Sequence, residues 1–121
     1  MDSKRLEKVG DLVRKEIASM LVLGDIKDPR IGFVTITKVR MTSDLKKAEV
    51  YFSTIGTSGD VEKCREGLSS ASGYIRRALA KRLDLRHIPS LNFTFDDSLE
   101  YSDRIERIIN NRKVQRYNES E

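Results

Sequence analysis

Five cationic side chains, Arg76, Arg77, Lys81, Arg82 and Arg86, fall between residues 74 and 87, opposed only by Asp84. Guanidinium and ammonium groups at that density raise the local potential and release counterions from phosphates, which is the chemistry of polyanion binding. They follow directly on Ser69-Ser70-Ala71-Ser72-Gly73. Inside a helix Gly73 costs roughly 1 kcal/mol against alanine, and serines prefer caps to interiors. A helix weakened there kinks and exposes the N–H groups and dipole of the helix that follows, both of which favour phosphate. Small side chains at the kink also let another backbone come close. Beyond it, Tyr74, Arg77 and Lys81 recur at i, i+3 and i+7, one face of a helix, with Arg76 and Arg82 flanking. A tyrosine exposed among cations offers a surface on which an unpaired base stacks. The plainer reading makes the charge run a solvated face, lets Gly73 bring the helix close to a sheet, and packs Tyr74 against a neighbour.

Other chemistries find little material. With one histidine and one cysteine, no thiolate–imidazole metal constellation can be assembled, no internal disulfide forms, and a reducing cytoplasm is the expected setting. Cys64 sits on an apolar helical stripe and reads as a small core residue; His87, between Arg86 and Pro89, reads as a helix-end or packing residue. There is no G-x-S-x-G turn and no Walker-type phosphate loop, so neither nucleophilic catalysis nor nucleotide hydrolysis has a base and orienter to work with. No cofactor is implied. A second basic run, Lys27, Arg30, Lys38, Arg40, Lys46 and Lys47, faces only Asp28 and Asp44, whereas residues 96–106 carry five acids against Arg104. The net charge of +4 is modest, but its distribution is segregated.

These residues need elements to position them, and 121 residues suffice for one domain with one core. No apolar run approaches the roughly 20 residues that span a bilayer, and the first ten residues lack a signal-peptide apolar region. Leu6, Val9, Val13, Ile17 and Met20 form an amphipathic helical stripe with Ser3 at its start and Gly24 as its left-handed stop. Residues 32–41 read as a strand whose alternation slips near Thr37, suggesting a bulge. Thr42–Lys46 reads as a turn, and Ala48, Val50 and Phe52 alternate in a second, antiparallel strand. Asp60 caps a helix whose stripe runs from Val61 through Cys64, Leu68, Ala71, Ile75, Leu79 and Leu83 across the weak point, ending before Pro89. Leu91, Phe93 and Phe95 face inward from a third strand. A short final helix follows, capped by Asp97 with Glu100 and lined by Leu99, Ile105, Ile108 and Ile109; residues 111–121 form a polar, disordered tail. The predicted order is α-β-β-α-kink-α-β in an α+β domain spanning 1–110, its three-stranded sheet covered by helices. Strand order is not legible.

Four stretches together carry a family resemblance: DPRIGFVTITKV (28–39), SDLKKAEVYFS (43–53), SASGYIRRALAKRLDLRHIPSLNF (70–93) and FDDSLE (95–100). From about Lys4 to Ile109 the chain resembles bacterial ribosome-binding factor A, a cold-shock-linked assembly factor of the small ribosomal subunit. The resemblance implies a type II KH-like fold in which an interrupted helix bearing Ala-x-Gly replaces the Gly-x-x-Gly loop. Here that motif is Ala71-Ser72-Gly73, the weak point already found. Some relatives carry a longer basic C-terminal extension; this chain ends in NESE.

The expected function is therefore a cytoplasmic, monomeric, non-enzymatic factor that binds the free small subunit and immature 16S rRNA and assists late rRNA maturation. Its expected RNA contacts are the Ala71–Gly73 backbone, Ser72 included, with Tyr74, Arg76, Arg77, Lys81, Arg82 and Arg86, extended by Arg30, Lys38 and Arg40; Asp28-Pro29-Arg30 also reads as a rigid turn with a local salt bridge. The alternative is a protein-interaction module with only generic RNA affinity, using the acidic 96–106 segment or an edge strand.

Overall fold

A computed structural model of the chain describes residues 3–54 and 60–98. The predicted final helix beyond Ser98, most of the acidic segment and the 111–121 tail lie outside the described residues. Helix α1 spans Ser3–Val22, with Ser3 as its first helical residue, and buries Gly10, Val13, Ile17 and Met20. Its end is a Schellman turn: Gly24, at φ +74°, donates to the Leu21 carbonyl, and Asp25 N–H reaches back to the Met20 carbonyl at 2.9 Å.

Strand β1 runs Val34–Met41, starting two residues later than the sequence suggests, because Gly32 takes φ +59° and Phe33 turns out to solvent. It pairs antiparallel with β2 (Lys47–Thr54), and the register shifts between Ile36 and Lys38, the bulge expected near Thr37. The extra residue does not waste its hydroxyl. Thr37 Oγ1 donates to the Asp96 carboxylate at 2.6 Å, fastening the chain that leaves the third strand. The Asp60 carboxylate accepts from the N–H groups of Glu62 and Lys63 and starts α2, Val61–Ser70. After Ala71 alone, α3 continues over Ser72–Arg82.

Strand β3, Ser90–Phe95, lies parallel to β2, so the helical pair forms a crossover and the sheet order is β1-β2-β3. The alternating residues Ala48, Val50 and Phe52, with Ile36, Val39, Met41 and Phe93, face the three helices. They meet Val13, Ile17, Met20, Cys64, Leu68, Ile75 and Leu79, all essentially inaccessible to water. Each fully buried large side chain of this kind contributes roughly 1.5–3 kcal/mol. Gly10 explains how α1 comes so near the sheet: a Cβ there would lie 2.5 Å from the Val39 carbonyl oxygen.

The stripe of α2 and α3 keeps its phase through the break, but α3 stops at Arg82. Leu83 is already extended (φ −117°, ψ 138°), and residues 83–89 form a loop ending in the buried Pro89. Arg86 therefore stands on this loop and not on the helix, contrary to the sequence expectation. Pro restricts only the residue before it, so Pro89 was too distant to mark the helix end.

Candidate nucleic-acid interface

The break is a single residue. Ala71 holds a near-helical conformation (φ −84°, ψ −2°) and closes α2 by donating to the carbonyls of Gly67 and Leu68; its own carbonyl accepts from Ile75 N–H in the first turn of α3. No side chain among the described residues caps that turn. Gly73 is exposed, and among the described residues a Cβ built on it would meet only the tip of Arg77 at 3.4 Å. It therefore does not serve close approach to the sheet; it leaves the surface of the break open.

What holds the break in place is the turn before β1. Arg30 forks onto Asp28, with Nη2–Oδ2 at 2.6 Å and Nε–Oδ1 at 3.0 Å, while its backbone N–H also reaches Oδ1 at 2.9 Å. The same guanidinium donates to Ser70 Oγ at 3.0 Å, one residue before Ala71. Hydrogen bonds from the Arg30 side chain, then from its backbone, hold the Asp28 carboxyl down to about 2. Beneath this clamp, Gly67 gives the turn its seat: a Cβ there would lie 2.7 Å from Ile31 Cγ1. The Cys64 thiol donates to the Ile31 carbonyl at 3.4 Å, and burial pushes its pKa up to about 11, as befits a packed, unreactive thiol. The local salt bridge read from Asp28-Pro29-Arg30 is thus present and ties the turn to the break. Ser70 was read from the sequence only as part of the weak point and not as a partner of Arg30, and Gly67 was not singled out at all; a glycine in the middle of an apolar stripe was the available signal.

The cations after the break divide into two sorts. Arg76 Nε donates to the Pro89 carbonyl at 3.0 Å and its Nη2 to the Ile88 carbonyl at 3.3 Å, so this side chain fastens α3 to the loop ahead of β3. Arg82 bridges Glu16 on α1 (3.4 Å) and Asp25 beyond it (3.2 Å). The side chains of Arg77 and Lys81, by contrast, are exposed and make no hydrogen bond or ion pair among the described residues, and Tyr74 on the same face is 41% exposed. Arg86 is equally exposed on its loop.

Lys38 and Arg40 stand elsewhere. They project from the sheet face opposite the helices, flanking the half-buried Tyr51: Lys38 Nζ lies 5.7 Å and Arg40 Cζ 6.0 Å from the ring centroid. On that face Asn92 and Thr94 both donate to the Glu49 carboxylate. The structure brings Arg30 to the break but leaves Lys38 and Arg40 on a separate surface.

The family model described as ribosome-binding factor A matches residues 5–109. A ribosome-binding factor A from Citrifermentans bemidjiense is 46% identical over 106 residues, covering 88% of either chain. Among solved structures, the crystal structure of ribosome-binding factor A from Thermus thermophilus superposes with a TM-score of 0.63 at 25% identity, over 74% of this chain and 93% of that one. A homology model of the Thermus thermophilus factor, fitted into a cryo-EM map of a 30S complex with that factor, gives a TM-score of 0.58 at 25% identity, over 73% of this chain and 91% of that one.

Proposed function

This chain belongs to the ribosome-binding factor A family, and we propose that it binds free small ribosomal subunits and immature 16S rRNA in the cytoplasm and assists late rRNA maturation. The observation that carries this reading is the open face of α3. Tyr74, Arg77 and Lys81 stand exposed and unspent immediately after a break built from the small residues Ala71, Ser72 and Gly73. Arg77, Lys81 and Arg86 would neutralise phosphates, Tyr74 would stack on an unpaired base, and the backbone at Ala71–Gly73 would approach the strand closely. Arg30 acts by positioning the break, and Arg76 and Arg82 by fixing α3 to its neighbours. Binding one rRNA conformer more tightly than another shifts the population toward that conformer, with no covalent step required. The domain that does this spans residues 1–110.

Co-sedimentation with purified small subunits, large subunits and assembled ribosomes across a salt series tests the proposal. The expected result is selective pelleting with free small subunits that persists at about 0.15 M salt. Equal pelleting with all three particles, lost at moderate salt, would reduce the function to generic RNA affinity. Absence of pelleting would favour a protein-interaction module instead.

A further inference from the structure

The two basic runs of the sequence meet at one place, at the end of α3 remote from the break. There the β1–β2 turn and the loop between α3 and β3 enclose, with α1, a half-open cavity of about 260 Å³. Val9, Met41, Leu45 and Leu85 supply its apolar lining, and Lys46, Arg86 and His87 are exposed around it. The one carboxylate among the described residues of the lining, Asp44, is engaged by its own turn, accepting from Thr42 Oγ1 at 2.7 Å and from Lys46 N–H at 3.0 Å. The Arg86 side chain has no such partner among the described residues. The Thr42 hydroxyl above all, then the Lys46 N–H and the Lys46 ammonium, which is not itself hydrogen-bonded, hold the Asp44 carboxyl below its ordinary range.

Leu45 is held in an unusual way. Its φ is +60°, the only positive value among the described non-glycine residues. Bulky side chains rarely adopt this region, and such outliers cluster at ligand sites. The Leu45 N–H donates to the Thr42 carbonyl at 2.9 Å, so the turn that constrains Asp44 also constrains this side chain at the cavity.

We propose that this cavity takes one unstacked nucleobase of bound RNA, with Arg86 and Lys46 on the attached phosphate. The cavity is smaller than the roughly 300–1,000 Å³ typical of drug-sized ligands, which suits a single planar ring system. An apolar floor with the His87 imidazole at its edge matches the way unpaired bases are bound, by stacking on ring systems and apolar side chains. The cations outside it supply the complementary charge. The inference rests on the RNA-binding reading above and adds a second point of attachment to it. The eleven residues of α3 separate the two points by about 16 Å of helix.

Adenosine 5′-monophosphate titrated into the full ¹⁵N-labelled chain at millimolar concentration tests the site by amide chemical shifts. The expected result is a saturable shift at Leu45, Lys46, Leu85, Arg86 and His87 that inorganic phosphate at equal ionic strength does not reproduce. His87→Ala should weaken this binding about tenfold, and His87→Phe should retain it, because stacking and not a proton is the contribution. The spectra also report whether each variant is folded. Equal shifts with inorganic phosphate, shifts confined to residues 70–81, or no shifts would overturn the proposal. Pelleting with small subunits, measured on the same preparation, judges the RNA-binding reading separately. Pelleting without a nucleotide shift sinks the cavity alone; a nucleotide shift without pelleting supports the cavity and sinks the ribosomal role.

Discussion

The open face of α3 and the outer face of the sheet both carry cations around a tyrosine, yet they differ in what those cations are doing. On the sheet, Lys38 and Arg40 flank the Tyr51 ring, which is half-buried between them, and Glu49 alongside is claimed by Asn92 and Thr94. On α3, the side chains of Arg77 and Lys81 have no partner among the described residues, and Tyr74 is open to solvent. A cation already satisfied inside the fold must give up an interaction to bind phosphate; an unsatisfied one gives up only water. The difference separates a surface that completes itself from one that awaits a ligand.

The largest effect is expected where the break is pinned. Gly67→Val places a branched side chain where a Cβ alone would come within 2.7 Å of Ile31. Overpacking of this kind costs typically 1–3 kcal/mol, so thermal unfolding should begin several degrees lower. Loss of small-subunit binding at temperatures where the variant is still folded would show that the seated turn positions the α3 face.

Arg76→Ala removes two hydrogen bonds to loop carbonyls and should cost about 1–2 kcal/mol in denaturant unfolding. The salt slope of RNA binding should stay unchanged, since this cation is not expected to touch phosphate. Arg82→Ala should cost less, at most about 1 kcal/mol, because its two ion pairs are only partly shielded from solvent. A reduced salt slope in either variant would place that residue on the RNA after all.

The smallest effect belongs to Asp28. Its folded pKa of about 2 lies below the ordinary 3.8, so its contribution to stability is complete above 3.8 and disappears as pH falls toward and through 2. Asp28→Asn should flatten the stability–pH curve in that window while leaving its shape at neutral pH unaltered. An unaltered acid limb would mean that the Asp28–Arg30 fork is not populated in solution.

Much of this was legible in the sequence, for identifiable reasons. Serines and a glycine interrupting an unbroken apolar phase announced the break at Ala71, and slipped alternation announced the bulge at Thr37. Both are local signals. The strand order, the reach of Arg76 to Ile88 and Pro89, and the pairing of Arg82 with Glu16 and Asp25 depend on which elements meet in space, and no spacing along the chain encodes them. For the same reason the cationic runs overstated the available charge. A count of arginines does not distinguish one spent on a carbonyl from one facing water. The left-handed Leu45 was hidden too, since its conformation is set by the Thr42–Lys46 turn and not by its own preference.

The central claim, that binding resides on α3 and not on the sheet, is tested most directly by two double variants compared on small subunits across a salt series. Arg77→Glu with Lys81→Glu should abolish pelleting near 0.15 M salt and, where residual binding is measurable, lower the salt slope by roughly two. Lys38→Glu with Arg40→Glu should pellet much as the unaltered chain does. Loss of binding in the sheet pair with retention in the α3 pair would contradict the account and move the interface to the opposite side of the molecule.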